Sequence, residues 1–391
     1  MPRRKPEITS FYYITHVDNL PSILQYGILS HEVIERRNIP HHRIYDAAIV
    51  SKRGNTIVNG SSLWHYANLY FQPRNPMMYR VLRETNVSEI VVIGVRRAVL
   101  DSAGALVTLG NAAASETEVV SAAEGIKSIA TIWKDIDSEW WRATDGSKRR
   151  IMAEVLVPDK ITADQIHTIY VSGHGVAESL KGMHLPETIP IVPEPKMFFM
   201  PVWNSRITDT LSLLDGDMFF SKAQTLTVSV NTQGIMGKGV ASRAKYQFPD
   251  VYVAYQDACR KKLLTMGKPY LYKREELFDA ELAEDPATLP NPNERKWFLL
   301  FATKRRWRED ADLDGIEEGL RWIGDEYQHQ TITSLALPAL GCGLGRLDWR
   351  DVGPKMCQAL GHLSIKVRIY LPREANIDSR FLSREYLLAA H

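Results

Sequence analysis

From His184 to Asn204 the chain reads HLPETIPIVPEPKMFFMPVWN, with prolines at 186, 190, 193, 195 and 201. Each proline lacks an amide donor and fixes its own φ, so neither a helix nor a central strand can run through this stretch. The segment therefore forces the chain to fold as two bodies, 1–183 and 206–391, joined by an extended connector over 184–205. The connector's second half, Met197 to Trp203, is apolar and is expected to dock on one of the bodies. Length agrees with this division: single hydrophobic cores stop growing near ~250–300 residues, and the chain has 391.

Composition excludes several classes. A hydrophobic share of 45% with 24% charged residues is that of a folded chain, not a disordered one. The formal net charge of +2 is spread evenly over both halves, so bulk charge gives no strong polyanion binding. Basic clusters remain at Arg3–Lys5, Lys52-Arg53, Lys148–Arg150 and Lys304–Arg306. No apolar run approaches the ~20 residues of a membrane helix, and the opening MPRRKPEITSFYY has no apolar signal core, so no membrane partner is expected. Cys259, Cys342 and Cys357 are too few and too unpatterned for a disulfide framework or a zinc site. The expected compartment is a reducing cytoplasm, and no metal is expected.

In the second half, apolar strands alternate with helices. Leu226–Val230, Trp297–Phe301, Ile332–Leu337 and Val367–Leu371 read as strands, with helices through Lys262, over Gly315–Tyr327 and around 351–363. This rhythm predicts a largely parallel, covered sheet with its ligand at the strand carboxyl ends. Two strands end in glycine clusters: Asn231-Thr-Gln-Gly234-Ile-Met236-Gly237-Lys-Gly239 and Pro338-Ala-Leu-Gly341-Cys342-Gly343-Leu344-Gly345. Glycine after a strand lets backbone amides turn toward a diphosphate, and a following helix N-terminus adds partial positive charge. Neither cluster is a P-loop or a Rossmann fingerprint.

Gly216-Asp217-Met218, the Asn231–Gly239 loop and Gly341–Leu347 closing on Asp348-Trp349 together resemble a macrodomain over about 210–373. Ala302-Thr303-Lys304-Arg305-Arg306-Trp307-Arg308 is similar to the lysine-bearing segment of the DarG macrodomains, bacterial ADP-ribosyl hydrolases that act as antitoxins. The resemblance implies an ADP-ribose site built from Asn231, Gly234, Met236, Gly237, Gly239, Gly341, Cys342, Gly343, Leu344 and Gly345, with Asn231 near the distal ribose and Lys304 as the catalytic amine. Arg305 and Arg306 are expected to lower the lysine pKa if they point toward it. Two positions depart from pattern: a related hydrolase group carries an acid where this chain has Gly345, and Leu300-Phe301-Ala302 replaces the usual Asn-Phe-Pro.

The first half mixes helix and strand without regular alternation. Phe11–Thr15, Ile90–Val95, Ile151–Val157 and Ile166–Val171 read as strands, and residues 28–62 and 100–150 give weak periodicity. Its sharpest feature is Glu154, a lone acid inside the apolar run Ile151–Val157. A carboxylate there is costly unless a cation or a ligand meets it; an edge-strand Glu facing water fits the alternation equally well.

Three segments, His16–Gly27, Tyr70–Met77 and the basic-then-Ala-Glu-Val-Leu-Val run around Glu154, resemble in this order DarT, a DNA ADP-ribosyltransferase toxin whose partner is the DarG macrodomain. The match spans about 8–180. It implies an α+β ADP-ribosyltransferase-like domain (1–183) followed, after the connector (184–205), by an α/β macrodomain (206–391; three-layer, mostly parallel central sheet). NAD is then the substrate, held by His16, Asn19, Gly27, Tyr70 and Arg74, with Glu154 facing the nicotinamide ribose. Arg53 is the better match to the family's arginine and Arg43 the weaker one. The implied acceptor is a base in single-stranded DNA, thymidine first, with Trp133, Trp140, Trp141 and Lys148–Arg150 able to supply stacking and phosphate contacts. The expected whole is a toxin–antitoxin fusion: one half writes ADP-ribose onto DNA, the other removes it from ADP-ribosylated DNA, and the two contact each other intramolecularly. The alternatives are guanosine, RNA or protein acceptors, or a non-catalytic sensor of NAD or ADP-ribose.

Overall fold

The apolar runs picked out by alternation form the spine of each half. A computed structural model describes residues 8–45, 47–183, 185–276, 278–285, 289, 296–372 and 377–389. The chain divides into two units: Met1–Phe198 together with Leu282–Pro292, and Phe199–Glu281 together with Asn293–His391.

The first unit is built on an eight-stranded sheet. Its strands are β1 (Ser10–His16), β2 (Tyr66–Tyr70), β3 (Ile90–Arg96), β4 (Leu106–Thr108), β5 (Val119–Ser121), β6 (Glu154–Pro158), β7 (Ile166–Val171) and β8 (Ile191–Pro193), in the order β8-β7-β3-β1-β2-β6-β4-β5. Pairing is antiparallel except between β7 and β8. Ile90–Val95 is buried at every position, as a strand covered on both faces must be. Phe11, Leu69, Ile93, Val155 and Ile169 are fully buried and knit β1, β2, β3, β6 and β7 into one core. The weakly periodic stretches hold short helices, among them Ala47–Asn55, and the amphipathic helix Ala122–Ile136, which buries Ile129 and Ile136 in the same core.

Two expectations change here. The strand expected over Ile151–Val157 begins at Glu154, because Ile151–Ala153 close a turn on the carbonyls of Ser147, Arg149 and Arg150. The connector is also more ordered than its prolines suggest. Ile191–Pro193 is the edge strand β8, and Trp203–Arg206 is an edge strand of the other unit's sheet. Edges are where a missing amide donor costs nothing.

The second unit carries a seven-stranded sheet. Its strands are β9 (Trp203–Arg206), β10 (Leu211–Asp215), β11 (Thr225–Asn231), β12 (Tyr270–Tyr272), β13 (Trp297–Lys304), β14 (Ser334–Pro338) and β15 (Lys366–Tyr370), in the order β9-β10-β15-β14-β11-β13-β12. The inner five run parallel and the edge strands β9 and β12 antiparallel. Helices Leu313–Glu326 and Trp349–Leu360 bury Ile316, Leu320, Ile323, Val352 and Met356 in the core. β11 and β13 both end at the same rim, which brings Asn231 level with Lys304. Among the described residues no helix is long and apolar enough to cross a membrane.

Candidate functional site

Glu154 opens β6 with its side chain fully buried, and the sheet register sets Tyr70 directly beside it. The carboxylate is not left unpaired. Arg53, on the helix Ala47–Asn55, donates to both oxygens at 3.3 and 2.9 Å, and the Ala112 backbone N–H donates at 2.9 Å. The Glu154 amide itself donates to Thr108 Oγ1 at 3.0 Å. The helix is held in place by Trp64, whose indole N–H reaches the Val50 carbonyl at 2.8 Å. Burial pulls the Arg53 pKa down, but the Glu154 charge and hydrogen bond outweigh it, so the guanidinium stays protonated. Arg43 is exposed and bonds Glu35 at 3.4 Å, so Arg53 is the arginine that meets the glutamate.

Arg53 lines a cleft of about 950 Å³, its open mouth included, with Tyr13, Tyr45, Trp64, Tyr70 and Met77. Glu154 lies behind Arg53 rather than among the lining residues. The Tyr70 hydroxyl has its pKa raised well above 10 by burial and by Glu154 and Glu284, which keeps it neutral.

A second cavity shares Tyr13, Ile14, Leu29, Ile34 and Tyr45 with the first and is lined by Asn19 and Gly27. Asn19 pins its wall: the side-chain amide donates to Thr15 Oγ1 at 3.0 Å and to the His42 carbonyl at 2.9 Å, and accepts from the His42 N–H at 2.7 Å. Gly27 ends the helix Leu20–Tyr26 with φ +88°, and a Cβ there would stand 2.1 Å from the Ile161 carbonyl oxygen. Only glycine fits this approach. His16 is buried under His42, the rings stacked at 3.6 Å, and its pKa is lowered by burial and by His42. Nitrogen and oxygen atoms of His16, Asp18 and His42 lie within 4.8 Å of one another. The two rings are parallel to within 5°, however, and a cation must lie in the plane of each imidazole it binds, so they cannot share an ion as arranged.

Other expected groups sit elsewhere. Arg74 is buried with its guanidinium on the Glu139 carbonyl, and it lines neither cavity. Trp141 is a core residue, Trp133 packs against the core, and Trp140 is half-buried beneath Arg142. Arg150 is held by Asp135 at 2.6 Å. Sequence reasoning missed Asn111, Ala112 and Glu284. Glu284 lines the Arg53 cleft, accepts a hydrogen bond from Asn111 Nδ2, and has its acid pushed up to about 7 by burial.

In the second unit the two glycine turns sit at strand ends. Asn231 closes the first: its amide donates to the Ile235 carbonyl at 2.7 Å and accepts from the Gln233 N–H at 2.9 Å, while the Tyr255 hydroxyl donates to its side chain at 3.0 Å. Gly234 takes φ +80° and Met236 is buried. Gly237 and Gly239 lead into the helix Gly239–Gln247. In the second turn, a Cβ on Gly345 would stand 2.5 Å from the Gly341 carbonyl oxygen and 2.8 Å from Ala311 Cβ. No acid fits there, which explains the departure noted from the sequence. Gly343 faces open space and Leu344 is exposed. The Cys342 thiol is pushed up to about 12 by burial, with Asp348 and Asp351 adding to it, so it is no nucleophile.

Lys304 ends β13 and ties the loop that follows this strand to the second glycine turn: its amine donates to the Glu309 carbonyl at 2.8 Å and the Leu344 carbonyl at 3.2 Å. Arg305 and Arg306 do not flank that amine. They are exposed and face Asp312 at 3.8 Å and Glu309 at 3.7 Å.

Comparison with known proteins follows the same division. Residues 12–199 match the family described as DarT, ssDNA thymidine ADP-ribosyltransferase. The chain is 53% identical to a DNA ADP-ribosyl transferase-DNA ADP-ribosyl glycohydrolase fusion protein of Thermosipho africanus, over 98% of this chain and 99% of that one. A solved structure described as Thermosipho africanus DarTG in complex with ADP-ribose superposes with a TM-score of 0.91 at 52% identity, covering 97% of this chain and all of the other. A DNA ADP-ribosyl glycohydrolase of Thermus aquaticus is 33% identical over 42% of each chain.

Proposed function

The chain belongs to the family of fused DNA ADP-ribosyl transferases and DNA ADP-ribosyl glycohydrolases, and from that premise we propose which of its residues write the mark and which erase it. It is an ADP-ribosyltransferase that uses NAD as substrate to modify single-stranded DNA, coupled to a macrodomain that hydrolyses the product. Thymidine is the acceptor base, a reading supported by the family match over residues 12–199. The transferase resides in the first unit and the hydrolase in the second, with 184–205 as the connector between them.

The observation that carries the transferase reading is the Arg53–Glu154 pair at the cleft wall, its carboxylate fully buried and its guanidinium at the cleft surface. NAD enters along Asn19 and Gly27, beside the stacked His16, and its diphosphate draws the Arg53 guanidinium off Glu154. The uncovered carboxylate, still held by the Ala112 N–H, then faces the nicotinamide ribose. As the glycosidic C–N bond breaks, its electron pair leaves with nicotinamide and positive charge spreads over the anomeric carbon and ring oxygen. Glu154 stabilises that charge, and the acceptor base adds to the carbon and loses its proton. Tyr70, kept neutral, supplies a donor and an aromatic wall. Arg74 is given a supporting part, since its guanidinium is already engaged.

In the macrodomain, the backbone amides of Gly234–Gly239 and Gly341–Gly345 and the N-terminus of Gly239–Gln247 hold the diphosphate, and Asn231 shapes the ribose end. The Lys304 amine is held in place by two carbonyls. When water replaces the base at the anomeric carbon, the departing base takes the electron pair and then the proton that the water gives up, and the Lys304 amine stabilises the negative charge that develops on the base before it is protonated. We place the chain in the cytoplasm, where NAD and DNA are found; its three free cysteines support this.

Expression in a bacterial host tests the pair of roles. Lys304→Ala is expected to be toxic and to leave ADP-ribose on the host DNA, and adding Glu154→Ala is expected to relieve both. A harmless Lys304→Ala chain with unmodified DNA overturns the reading.

A further inference from the structure

One residue lining the transferase cleft, Glu284, comes from far along the sequence. After Glu281 the chain leaves the second unit, and Leu282–Pro292 belong to the first. Leu282 and Ala283 are fully buried and Leu289 nearly so, which anchors the excursion by its apolar side chains. Between them Glu284 turns into the cleft beside Arg53, Tyr70 and Met77.

We propose that Glu284 is an internal stopper: its carboxylate holds the acceptor end of the transferase cleft closed to single-stranded DNA. This deepens the transferase reading and rests on it. Three observations converge. First, Glu284 is fastened at both its backbone and its side chain, by its N–H to the Pro76 carbonyl at 3.2 Å and by Asn111 Nδ2 to Oε1. Asp285 adds an ion pair with Lys52, the neighbour of Arg53, at 3.9 Å.

Second, the fastening meets the catalytic group. Asn111, which holds Glu284, precedes Ala112, whose N–H holds Glu154 at 2.9 Å. The two carboxylates thus hang from adjacent residues of one loop, and the Arg53 charge acts on both. Glu284 lines only the Arg53 end of the cleft and not the adjoining cavity of Asn19 and Gly27. It therefore stands where an acceptor would approach the sugar, not where the far end of NAD would lie.

Third, the chemistry opposes the acceptor. A DNA strand brings a phosphate with every nucleotide, and a carboxylate in the cleft lining, as Glu284 is, repels it. The position is also a poor one for a carboxylate, as its upward-shifted acid indicates. A group held where it is disfavoured, by few bonds, is one that can be displaced.

The test uses the full chain carrying Lys304→Ala, so that transferred ADP-ribose persists, with Glu284 intact, Glu284→Ala or Glu284→Gln. Fluorescence anisotropy of a labelled thymidine-containing oligonucleotide gives affinity, and chromatography of the same oligonucleotide with NAD gives transfer. Glu284→Ala is expected to tighten binding about tenfold and to raise the transfer rate at limiting DNA. Glu284→Gln keeps the size and the Asn111 bond but not the charge, and is expected to fall between the two. Unchanged or weaker oligonucleotide affinity in Glu284→Gln overturns the stopper, even where Glu284→Ala proves unstable. Tighter binding without transfer by any of the three chains keeps the stopper and instead removes the roles given to Arg53 and Glu154.

Discussion

Arg53 and Glu154 stand 101 residues apart in the sequence and meet through two parallel N–H···O bonds of 3.3 and 2.9 Å. A forked pair of this kind closes off a fully buried carboxylate while leaving the guanidinium at the cleft surface. The same contact therefore holds the fold together and covers the reactive group.

Removing one partner should separate those two parts. Arg53→Ala leaves Glu154 buried without its cation and is expected to destabilise the first unit by about 3 kcal/mol or more. Glu154→Gln keeps size and most hydrogen bonding, so its melting temperature should fall less, while nicotinamide release should drop by about 100-fold or more. Calorimetry and a nicotinamide assay on the two variants check this; comparable activity in Glu154→Gln and the unmodified chain would refute it.

Asn19 is expected to act on NAD affinity more than on chemistry. Asn19→Ala frees the His42 loop from its two amide bonds and loosens the cavity wall. The KM for NAD should rise about tenfold, with kcat little changed. Initial-rate kinetics over a range of NAD concentrations give the split.

The glycines of the second turn should differ sharply from one another. Gly345→Asp drives a Cβ into the Gly341 carbonyl and Ala311, and is expected to cost about 1–3 kcal/mol of stability together with ADP-ribose binding. Gly343→Ala meets open space and should leave the melting temperature of the second unit nearly unchanged. Thermal melts with and without ADP-ribose distinguish them.

Glu284 gives the first unit a pH dependence of known sign. Its acid is raised from 4.5 to about 7, chiefly by burial; the Asn111 hydrogen bond and Arg53 oppose the rise, and Asp285 and Glu154 add to it. The folded state thus holds this proton more tightly than the unfolded chain does. The resulting stability is fully present below pH 4.5 and is lost as pH rises through about 7. The difference in melting temperature between the unmodified chain and Glu284→Gln should change across that window and flatten above it. A constant difference from pH 4 to pH 8.5 would contradict the placement.

The sequence made some of this legible and hid the rest for physical reasons. Glu154 was conspicuous because a carboxylate inside an apolar run needs a partner, and the structure supplies Arg53 and the Ala112 amide. The glycine turns were visible because each follows an apolar strand. Edge strands β9 and β12 were not, since Trp203–Arg206 and Tyr270–Tyr272 are short and half-exposed and carry no run of buried residues. Glu284 was invisible for a different reason: nothing in Leu282–Asp285 marks it as belonging with residues 53, 76 and 111. Adjacency misled in the other direction as well. Arg305 and Arg306 sit next to Lys304 in sequence, yet their guanidinium groups reach Asp312 and Glu309.

The excursion of Leu282–Pro292 bears on how this polypeptide can be divided. The backbone passes from one unit to the other after Phe198, again after Glu281, and a third time after Pro292. Severing the proline-rich joint therefore does not release two whole proteins. A truncated product ending at Phe198 lacks part of its own fold, including the residue facing Arg53, and what remains keeps a stretch whose apolar side chains have lost their seat. Genes for the two activities cannot be parted at that joint without one piece surrendering structure to the other.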